Sequence, residues 1–197
     1  MALSMDSFII KRKEFVVTDK LGEKSFLATR KNKKFFLKKF TSKEEFSDFI
    51  ERVHRLKITA IDIPKPILFD KNQLIFVSEY IEGKPLIDML KEGPITDEKI
   101  YEELFRTDFF MKHEKIKLDL LPENFIFTGK RFVYLTYKYE IYPVSYSFIN
   151  KDVRLWFDTK ELMSYLAKFG YEMDAKRLSS EYLTNKQIAL MSVKYYR

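Results

Sequence analysis

Asp119 and Asn124, which stand five residues apart, are the side chains of this sequence best placed to do chemistry. Pro122 lies between them, and runs rich in Ile, Leu and Phe lie on both sides, so the pattern predicts a buried polar turn. In such a turn Asp119 could orient a nucleophilic hydroxyl group while Asn124 holds a metal ion. Asp, Pro and Asn are also common turn formers, so a purely structural Asx-type turn is the alternative interpretation.

The composition narrows the kinds of chemistry that this chain can perform. It contains no cysteine, which excludes disulfides, thiolate metal sites and a cysteine nucleophile. Its two histidines, His54 and His113, leave little for a histidine-based metal site or a catalytic triad. Any reaction must therefore depend on carboxylates, lysine, asparagine, hydroxyl groups or a bound cation.

Size and charge set the expected class of protein and partner. The chain has 197 residues, 46% of them hydrophobic and 33% charged, which suits one compact domain or two small lobes. No apolar run approaches the roughly 18 residues of a membrane span, and the first residues are too polar for a signal peptide, so we expect a cytoplasmic protein. The net charge of +7 favours anionic partners. Because most basic residues are scattered outside residues 31–39, nucleic-acid binding is the less favoured choice.

Several strands and helices are predicted to position these residues. Three strands are expected at 15–21, 26–30 and 34–40, with a solvated basic turn at 31–33 in which Asn32 suits a positive φ. Apolar residues at helical spacing predict a helix over 43–57, capped by Thr41 or Ser42. A hairpin is expected over 67–77. Further helices are expected after a cap at Thr96 or Asp97, after a cap at Asp158 and Thr159, and from about Asp174.

The segment HEKIKLDLLPENFIF, residues 113–127, resembles the catalytic loop of protein kinases, in which a helix leads into His-Arg-Asp-Leu-Lys-Pro-Glu-Asn and then a strand. Five residues stand where that pattern requires them: Asp119, Leu120, Pro122, Glu123 and Asn124. Lys117 and Leu118 replace the His and Arg of the motif, and Leu121 replaces its Lys.

The N-terminal part resembles the nucleotide-binding lobe of the same family. Residues 21–26 resemble the glycine-rich loop, but only one of its three glycines, Gly22, is present. Lys38 matches the lysine of the third kinase strand. Residues 74–93 resemble the fifth strand, the hinge and the helix after it. The resemblance implies that the backbones of Glu79 and Ile81 meet adenine, since an extended linker leaves its polar groups unpaired.

Two glutamates compete to be the partner of Lys38 that a kinase carries on the helix over 43–57. The family register, counted back from Ile63, points to Glu51. At about 100° per residue, however, Glu51 falls nearly opposite the apolar side of the helix, whereas Glu45 lies at its edge. We prefer Glu45, and a surface role remains the alternative for either residue.

The resemblance breaks after the loop. Tyr137 stands where kinases carry the Asp of Asp-Phe-Gly, their main metal ligand, and the nearest carboxylates are Glu140 and Asp152. Tyrosine cannot replace a hard anionic ligand at neutral pH. Tyr137, Leu118 and Leu121 therefore replace three charged residues of the kinase motif, in a reaction that depends on electrostatics. The chain therefore resembles a weak or unusual kinase or a pseudokinase.

The resemblance implies an α+β, two-lobed, protein-kinase-like fold. It comprises an N-lobe over 1–82, with the hinge at 79–82, and a reduced helical C-lobe over 83–197 that carries the catalytic-like loop 117–124. The implied function is ATP-dependent phosphotransfer to an unidentified hydroxyl, with Asp119, Lys38 and Glu45 catalytic, Gly22 near the nucleotide, and Asn124 holding Mg²⁺. The alternative is an inactive pseudokinase that binds a partner protein.

Overall fold

The computed structural model describes residues 7–196, which form two compact units. The first unit contains the described chain up to Ile58 together with Ile63–Glu82. The second contains Thr59–Asp62 and the chain from Gly83 onward. The short segment Thr59–Asp62 is attached to the second unit by specific bonds, because Tyr134 N donates to Asp62 O over 2.9 Å and Arg131 forms a two-bonded ion pair with the Asp62 carboxylate at 2.8 Å.

The first unit is built on one antiparallel sheet of six strands. These strands are β1 (Ser7–Ile10), β2 (Lys13–Gly22), β3 (Ser25–Arg30), β4 (Lys33–Lys39), β5 (Pro66–Asp70) and β6 (Ile75–Glu79). Their order in the sheet is β1-β2-β3-β4-β6-β5. The three strands predicted over 15–40 and the hairpin predicted over 67–77 are confirmed, and β1 is a strand that the sequence did not predict. Phe15, Leu37 and Val77 are buried in the core of this sheet.

Helix α1 (Lys43–Lys57) has the bounds that its apolar spacing predicts. Ser42 caps its first turn by accepting a hydrogen bond from Glu45 N over 3.1 Å. The buried side of the helix recurs every three or four residues, as an amphipathic helix requires. The buried residues are Phe46, Phe49, Val53 and Leu56.

The second unit is mainly helical, with short strands. Its helices are α2 (Leu86–Glu92), α3 (Glu98–Glu114), α4 (Lys160–Ala167) and α5 (Glu181–Tyr195). Its strands are β7 (Lys84–Pro85), β8 (Ile116–Lys117), β9 (Phe125–Phe127), β10 (Phe132–Tyr134) and β11 (Glu140–Ile141). Single 3-10 turns cover Pro122–Asn124, Val153–Trp156 and Ala175–Arg177. The strands form a sheet of order β10-β9-β7 and a pair β11-β8. Asp97, one of the two residues predicted for the role, caps α3, and Thr159 of the predicted pair Asp158 and Thr159 caps α4.

Trp156, the single tryptophan of the chain, lies at the centre of the second unit. Its ring packs 6.0 Å from the ring of Phe125 and 6.2 Å from that of Phe132, and its Nε1 donates to Leu120 O over 3.0 Å. The buried core of this unit is therefore joined directly to the segment that carries Asp119. Over the whole range 7–196, the structure has no helix both long and apolar enough to span a bilayer.

Candidate active site

The loop of Asp119 follows directly from the end of α3. Lys115 closes that helix with a φ of 55°, and the chain then enters β8, which is held in place by its antiparallel pairing with β11. Leu118 and Leu120 are fully buried on either side of Asp119, whereas Asp119 itself is exposed. Alternate burial along the extended chain therefore anchors the loop and turns Asp119 toward solvent.

Asn124 ties the loop to itself. Its Nδ2 donates to the backbone oxygen of Asp119 over 3.0 Å, and its backbone N donates to Leu121 O over 3.0 Å at the end of the 3-10 turn. Leu135 N in turn donates to Asn124 O over 2.9 Å. Because its amide NH₂ group is used within the loop, Oδ1 is the atom with which Asn124 can bind a cation. The structure thus brings Asp119 and Asn124 together.

The electrostatic surroundings of Asp119 favour a proton acceptor. Partial removal from water raises the pKa of Asp119 above its ordinary value, and the negative charges of Glu123 and Asp152 raise it further. A hydrogen bond from Asn124 and the charge of Lys117 oppose that increase in pKa. A carboxylate with a raised pKa is a stronger base, which suits a group that accepts the proton of a hydroxyl.

Tyr165 is a site residue that sequence reasoning missed. Its hydroxyl, on α4, donates to Glu123 Oε1, while Glu123 Oε2 is buried and has no hydrogen-bond partner among residues 7–196. Burial and then the bond to Glu123 raise the pKa of Tyr165, which keeps this hydroxyl protonated as a donor. Forty-two residues separate the pair, and no local pattern in the sequence links them.

Lys38 lies on β4 and is half-buried, whereas its neighbour Lys39 is exposed. The Lys38 ammonium lies 5.1 Å from the ring centre of Phe49 and 5.2 Å from that of Phe40. These contacts place the charged end of Lys38 beside the Phe49 side of α1.

The position of Lys38 bears on the two candidate glutamates. Glu45 is one turn before Phe49 and so lies on the side of α1 that Lys38 approaches. Glu51 lies about 160° from Phe49 around the helix axis. The Glu45 carboxylate accepts hydrogen bonds from Thr41 N at 3.5 Å and from Thr41 Oγ1 at 3.3 Å, which completes the cap of α1. Glu51 instead lines a groove of about 710 Å³ beside the turn between β5 and β6. The choice of Glu45 as the helix partner of Lys38 stays a prediction.

Gly22 begins a tight turn between β2 and β3. It pairs with Ser25, so Glu23 and Lys24 alone form the tip. A Cβ added at Gly22 would meet one atom of the described chain within 4 Å, the Ser25 Cβ at 3.9 Å. Folding of this turn therefore does not require glycine, and the space beside residue 22 is open.

The predicted hinge differs from the expectation that its backbone groups are unpaired. Glu79 N donates to Lys65 O over 3.0 Å, and Glu79 Oε1 accepts from Lys65 N over 2.8 Å, so the Glu79 N–H is not available to a ligand. The Glu79 carbonyl accepts from Ser78 Oγ over 3.1 Å. Within residues 7–196, the N–H of Ile81 donates no hydrogen bond.

Comparison with known proteins relates this arrangement to a fold. No protein-family model and no curated protein matches the sequence. The crystal structure of WbdD with the kinase inhibitor LY294002 aligns with a TM-score of 0.56 and 13% identity, over 95% of this chain and 48% of that one. The chain has a protein-kinase-like fold. It spans about half the length of the WbdD chain. Choline kinase LicA from Streptococcus pneumoniae aligns with a TM-score of 0.43 and 18% identity, over 89% of this chain and 78% of that one.

The predicted α+β kinase-like fold is thus confirmed, but the loop departs from the kinase pattern in ways that the structure explains. Leu118, which replaces the Arg of the motif, is fully buried, and its backbone N lies 3.0 Å from Met111 Sδ. Leu121 is half-buried. A charged side chain at position 118 would lie in the core, so the kinase motif and the packing of this unit are incompatible there.

Tyr137, at the position of the kinase metal ligand, is buried and has a φ of 54°. The nearest carboxylates have other partners, since Glu140 pairs with Lys117 at 3.4 Å and Asp152 accepts from Tyr146 at 2.6 Å. The described part of the chain holds no group of three or more His, Cys, Asp or Glu side chains that could bind a metal. Mg²⁺ in phosphotransfer sites is usually held by one or two carboxylates and substrate phosphates. Asn124 Oδ1 alone therefore does not fit an ordinary Mg²⁺ site.

Proposed function

We propose that this protein is an atypical ATP-dependent phosphotransferase of protein-kinase-like fold. The observation that carries the proposal is the closed loop in which Asn124 Nδ2 binds the Asp119 backbone while the Asp119 carboxylate remains exposed. A turn that merely reverses the chain does not need an exposed carboxylate between two fully buried leucines. This arrangement suits a group that binds a substrate hydroxyl.

Each unit has its own part in the proposed reaction. In the second unit, Asp119 would accept a hydrogen bond from the acceptor hydroxyl, orient it and take its proton. In the first unit, Lys38 would contact the nucleotide phosphates, with Glu45 as its helix partner and Gly22 leaving room for close approach. The backbones of Glu79 and Ile81 would meet adenine. Because the residues around Asn124 do not fit an ordinary Mg²⁺ site, no step of this proposal passes through a metal ion.

A second candidate is a pseudokinase that binds a partner protein and transfers no phosphate. Tyr137 favours it, because this buried side chain stands where the main carboxylate ligand of a kinase is expected. Phosphoryl transfer depends chiefly on positioning and electrostatic stabilisation, so the loss of that charge would lower the rate strongly.

The first experiment measures thermal stability with ATP, with Mg²⁺ and with both together. A ligand at 100 times its dissociation constant adds about 2.7 kcal/mol to the free energy of unfolding, which raises the melting temperature by about 5–10 °C for a chain of this size. A higher melting temperature with ATP supports the proposed nucleotide site. A larger increase with ATP and Mg²⁺ together would contradict the conclusion that Asn124 does not fit a Mg²⁺ site. If ATP does not raise the melting temperature with or without Mg²⁺, the result favours the second candidate, a pseudokinase.

The second experiment assigns the role of Asp119. Turnover of ATP, with or without candidate acceptors, should fall by about 100-fold or more in Asp119→Asn, because general-base catalysis is generally worth 10²- to 10⁴-fold. Glu172→Gln, which also removes one exposed carboxylate from the second unit, is the matched control and should retain activity. Equal turnover in the two variants would remove Asp119 from the mechanism.

A further inference from the structure

The strongest positive charge of the described chain lies on two hairpin tips of the first unit. Lys11 and Arg12 connect β1 to β2, and Lys31 and Asn32 connect β3 to β4. All four residues have φ between 47° and 63°, as in tight two-residue turns. Of the eight residues 11–13 and 30–34, seven are Lys or Arg and the exception is Asn32. We call these eight residues the basic tips.

The two tips lie at the same end of the sheet, because every second turn of an antiparallel meander returns to the same side. Two strand spacings, about 10 Å, separate them across the sheet. The pairing of Val16 with Thr29 sets them within about two residues of the same level along the strands. Charges that are 20 residues apart in sequence thus form one continuous surface.

The basic tips are poorly neutralised. The side chains of 11–13, 31, 33 and 34 are exposed, and Arg30 lies over the ring of Phe15 at 5.9 Å. Among residues 7–196, Lys34 is the only tip cation in an ion pair, with Glu82 at 2.7 Å. The remaining exposed cations stabilise no fold contact that would explain their clustering, and bringing like charges together costs free energy in an isolated protein.

The basic tips are separate from the nucleotide residues proposed at the other end of β2 to β4. Gly22 belongs to the turn at the opposite end of the sheet, and Lys38 pairs with Ser25 next to that turn. The charge of the tips is therefore not explained by phosphate binding at Lys38. A ligand of the tips must be another anion, and one large enough to meet both hairpins.

We propose that the basic tips dock this protein on an anionic lipid bilayer. Clusters of four to eight Lys or Arg at a membrane surface bind acidic lipids, and each charge raises the affinity by about fivefold. The tips form a level row rather than a groove, which suits a flat partner. Ile9, which lies on β1 near its tip and is 64% exposed, offers an apolar side chain beside the charges for the lipid interface.

Single-stranded nucleic acid is a competing polyanion, and the tips lack the stacking surface that it uses. Proteins that bind single strands combine positive charge with aromatic side chains on which bases stack. None of the eight tip residues is aromatic, and nearby Phe8, Phe15 and Phe35 are buried or half-buried. A bilayer needs no stacking surface.

The test is flotation of the full chain with vesicles of phosphatidylcholine alone or with added phosphatidylglycerol. One variant replaces the four tip residues Lys11, Arg12, Lys31 and Lys33 by Gln. Its matched control replaces four exposed lysines of the second unit, Lys130, Lys151, Lys176 and Lys186, by Gln. Each variant lowers the net charge of +7 by four, so the pair separates position from total charge. None of these eight residues belongs to the proposed active site.

Binding to the acidic vesicles should fall roughly 100- to 1000-fold in the tip variant and much less in the control. It should also weaken as salt rises from about 0.1 M to 1 M, where the Debye length falls from about 10 Å to 3 Å. Three results would overturn the proposal: no binding of the unmodified protein to acidic vesicles, equal loss in both variants, or tip-dependent binding of single-stranded RNA without vesicle binding. Thermal shifts with ATP report the proposed nucleotide site separately, so either proposal can fail alone.

Discussion

Tyr165→Phe tests whether α4 holds the Asp119 loop in place. The substitution removes one hydroxyl, the donor to Glu123 Oε1, and leaves the ring of Tyr165 in the fold. Glu123 Oε2 is already buried with no hydrogen-bond partner in the described part of the chain. The variant therefore leaves the whole carboxylate without its protein donor, one residue before Asn124.

The size of the effect follows from the kind of bond that is lost. A hydrogen bond to a charged group contributes about 1.5–3 kcal/mol, and a buried group left unpaired costs a similar amount. Tyr165 is half-buried, so water can replace part of the lost bond. We therefore expect the free energy of unfolding of the second unit to fall by about 1.5–2 kcal/mol.

Trp156 makes this measurement specific to the second unit. It is the single tryptophan, is fully buried there, and donates to Leu120 O in the same loop, so its fluorescence reports unfolding of this unit. Tyr171→Phe is the matched control, since Tyr171 is also half-buried and its hydroxyl has no hydrogen bond within the described chain. The control should change the free energy of unfolding by about 0.5 kcal/mol or less.

A double-mutant cycle with Glu123→Gln then isolates the pair. If the Tyr165 hydroxyl acts through Glu123, its removal from the Gln variant should cost clearly less than its removal from the unmodified chain. The reasoning is wrong if Tyr165→Phe behaves like Tyr171→Phe in urea unfolding. It is also wrong if the cost of losing the hydroxyl is the same with Glu and with Gln at position 123.

Three further predictions follow from single contacts. Leu118→Arg, which restores the kinase motif, should destabilise the second unit by about 3 kcal/mol or more in urea unfolding, because position 118 is fully buried; a stable variant would contradict this. Gly83→Ala should cost about 1–3 kcal/mol in the same assay, because its Cβ would lie 2.4 Å from Ile126 Cγ2. Burial and then the bond to Asp152 raise the pKa of Tyr146, so the folded state keeps a proton that the unfolded chain loses near pH 10. Unfolding free energy should therefore fall as pH rises above about 10, and less steeply in Tyr146→Phe; equal slopes would refute the assignment.

Local patterns were sufficient wherever neighbours in sequence create the structure. The bounds of α1 follow from apolar residues at helical spacing and a serine cap, both of which are properties of one short segment. Asp119 and Asn124 meet because only four residues separate them in a turn that contains Pro122. The fold was predicted from several kinase-like segments in the order that the family requires, and the comparison with WbdD confirms it.

Local patterns failed where a backbone group found an unexpected partner. Strand β1 was missed because its turn, Lys11 and Arg12, adopts positive φ without the Gly or Asn that usually indicates such a turn. The N–H of Glu79 was expected to be unpaired, but an extended segment does not reveal that Lys65 will lie opposite it.

What only the tertiary structure decided depends on residues distant in sequence. The bond from Tyr165 to Glu123 and the raised pKa of Asp119 beside Asp152 require segments more than 30 residues apart to pack together. The basic tips likewise form one surface because two turns of the sheet, at 11–12 and 31–32, lie at the same end. The sequence by itself determined which groups could bind, accept a proton or carry charge. Packing determined their neighbours, and the neighbours set the exposure, charge and hydrogen bonding from which function follows.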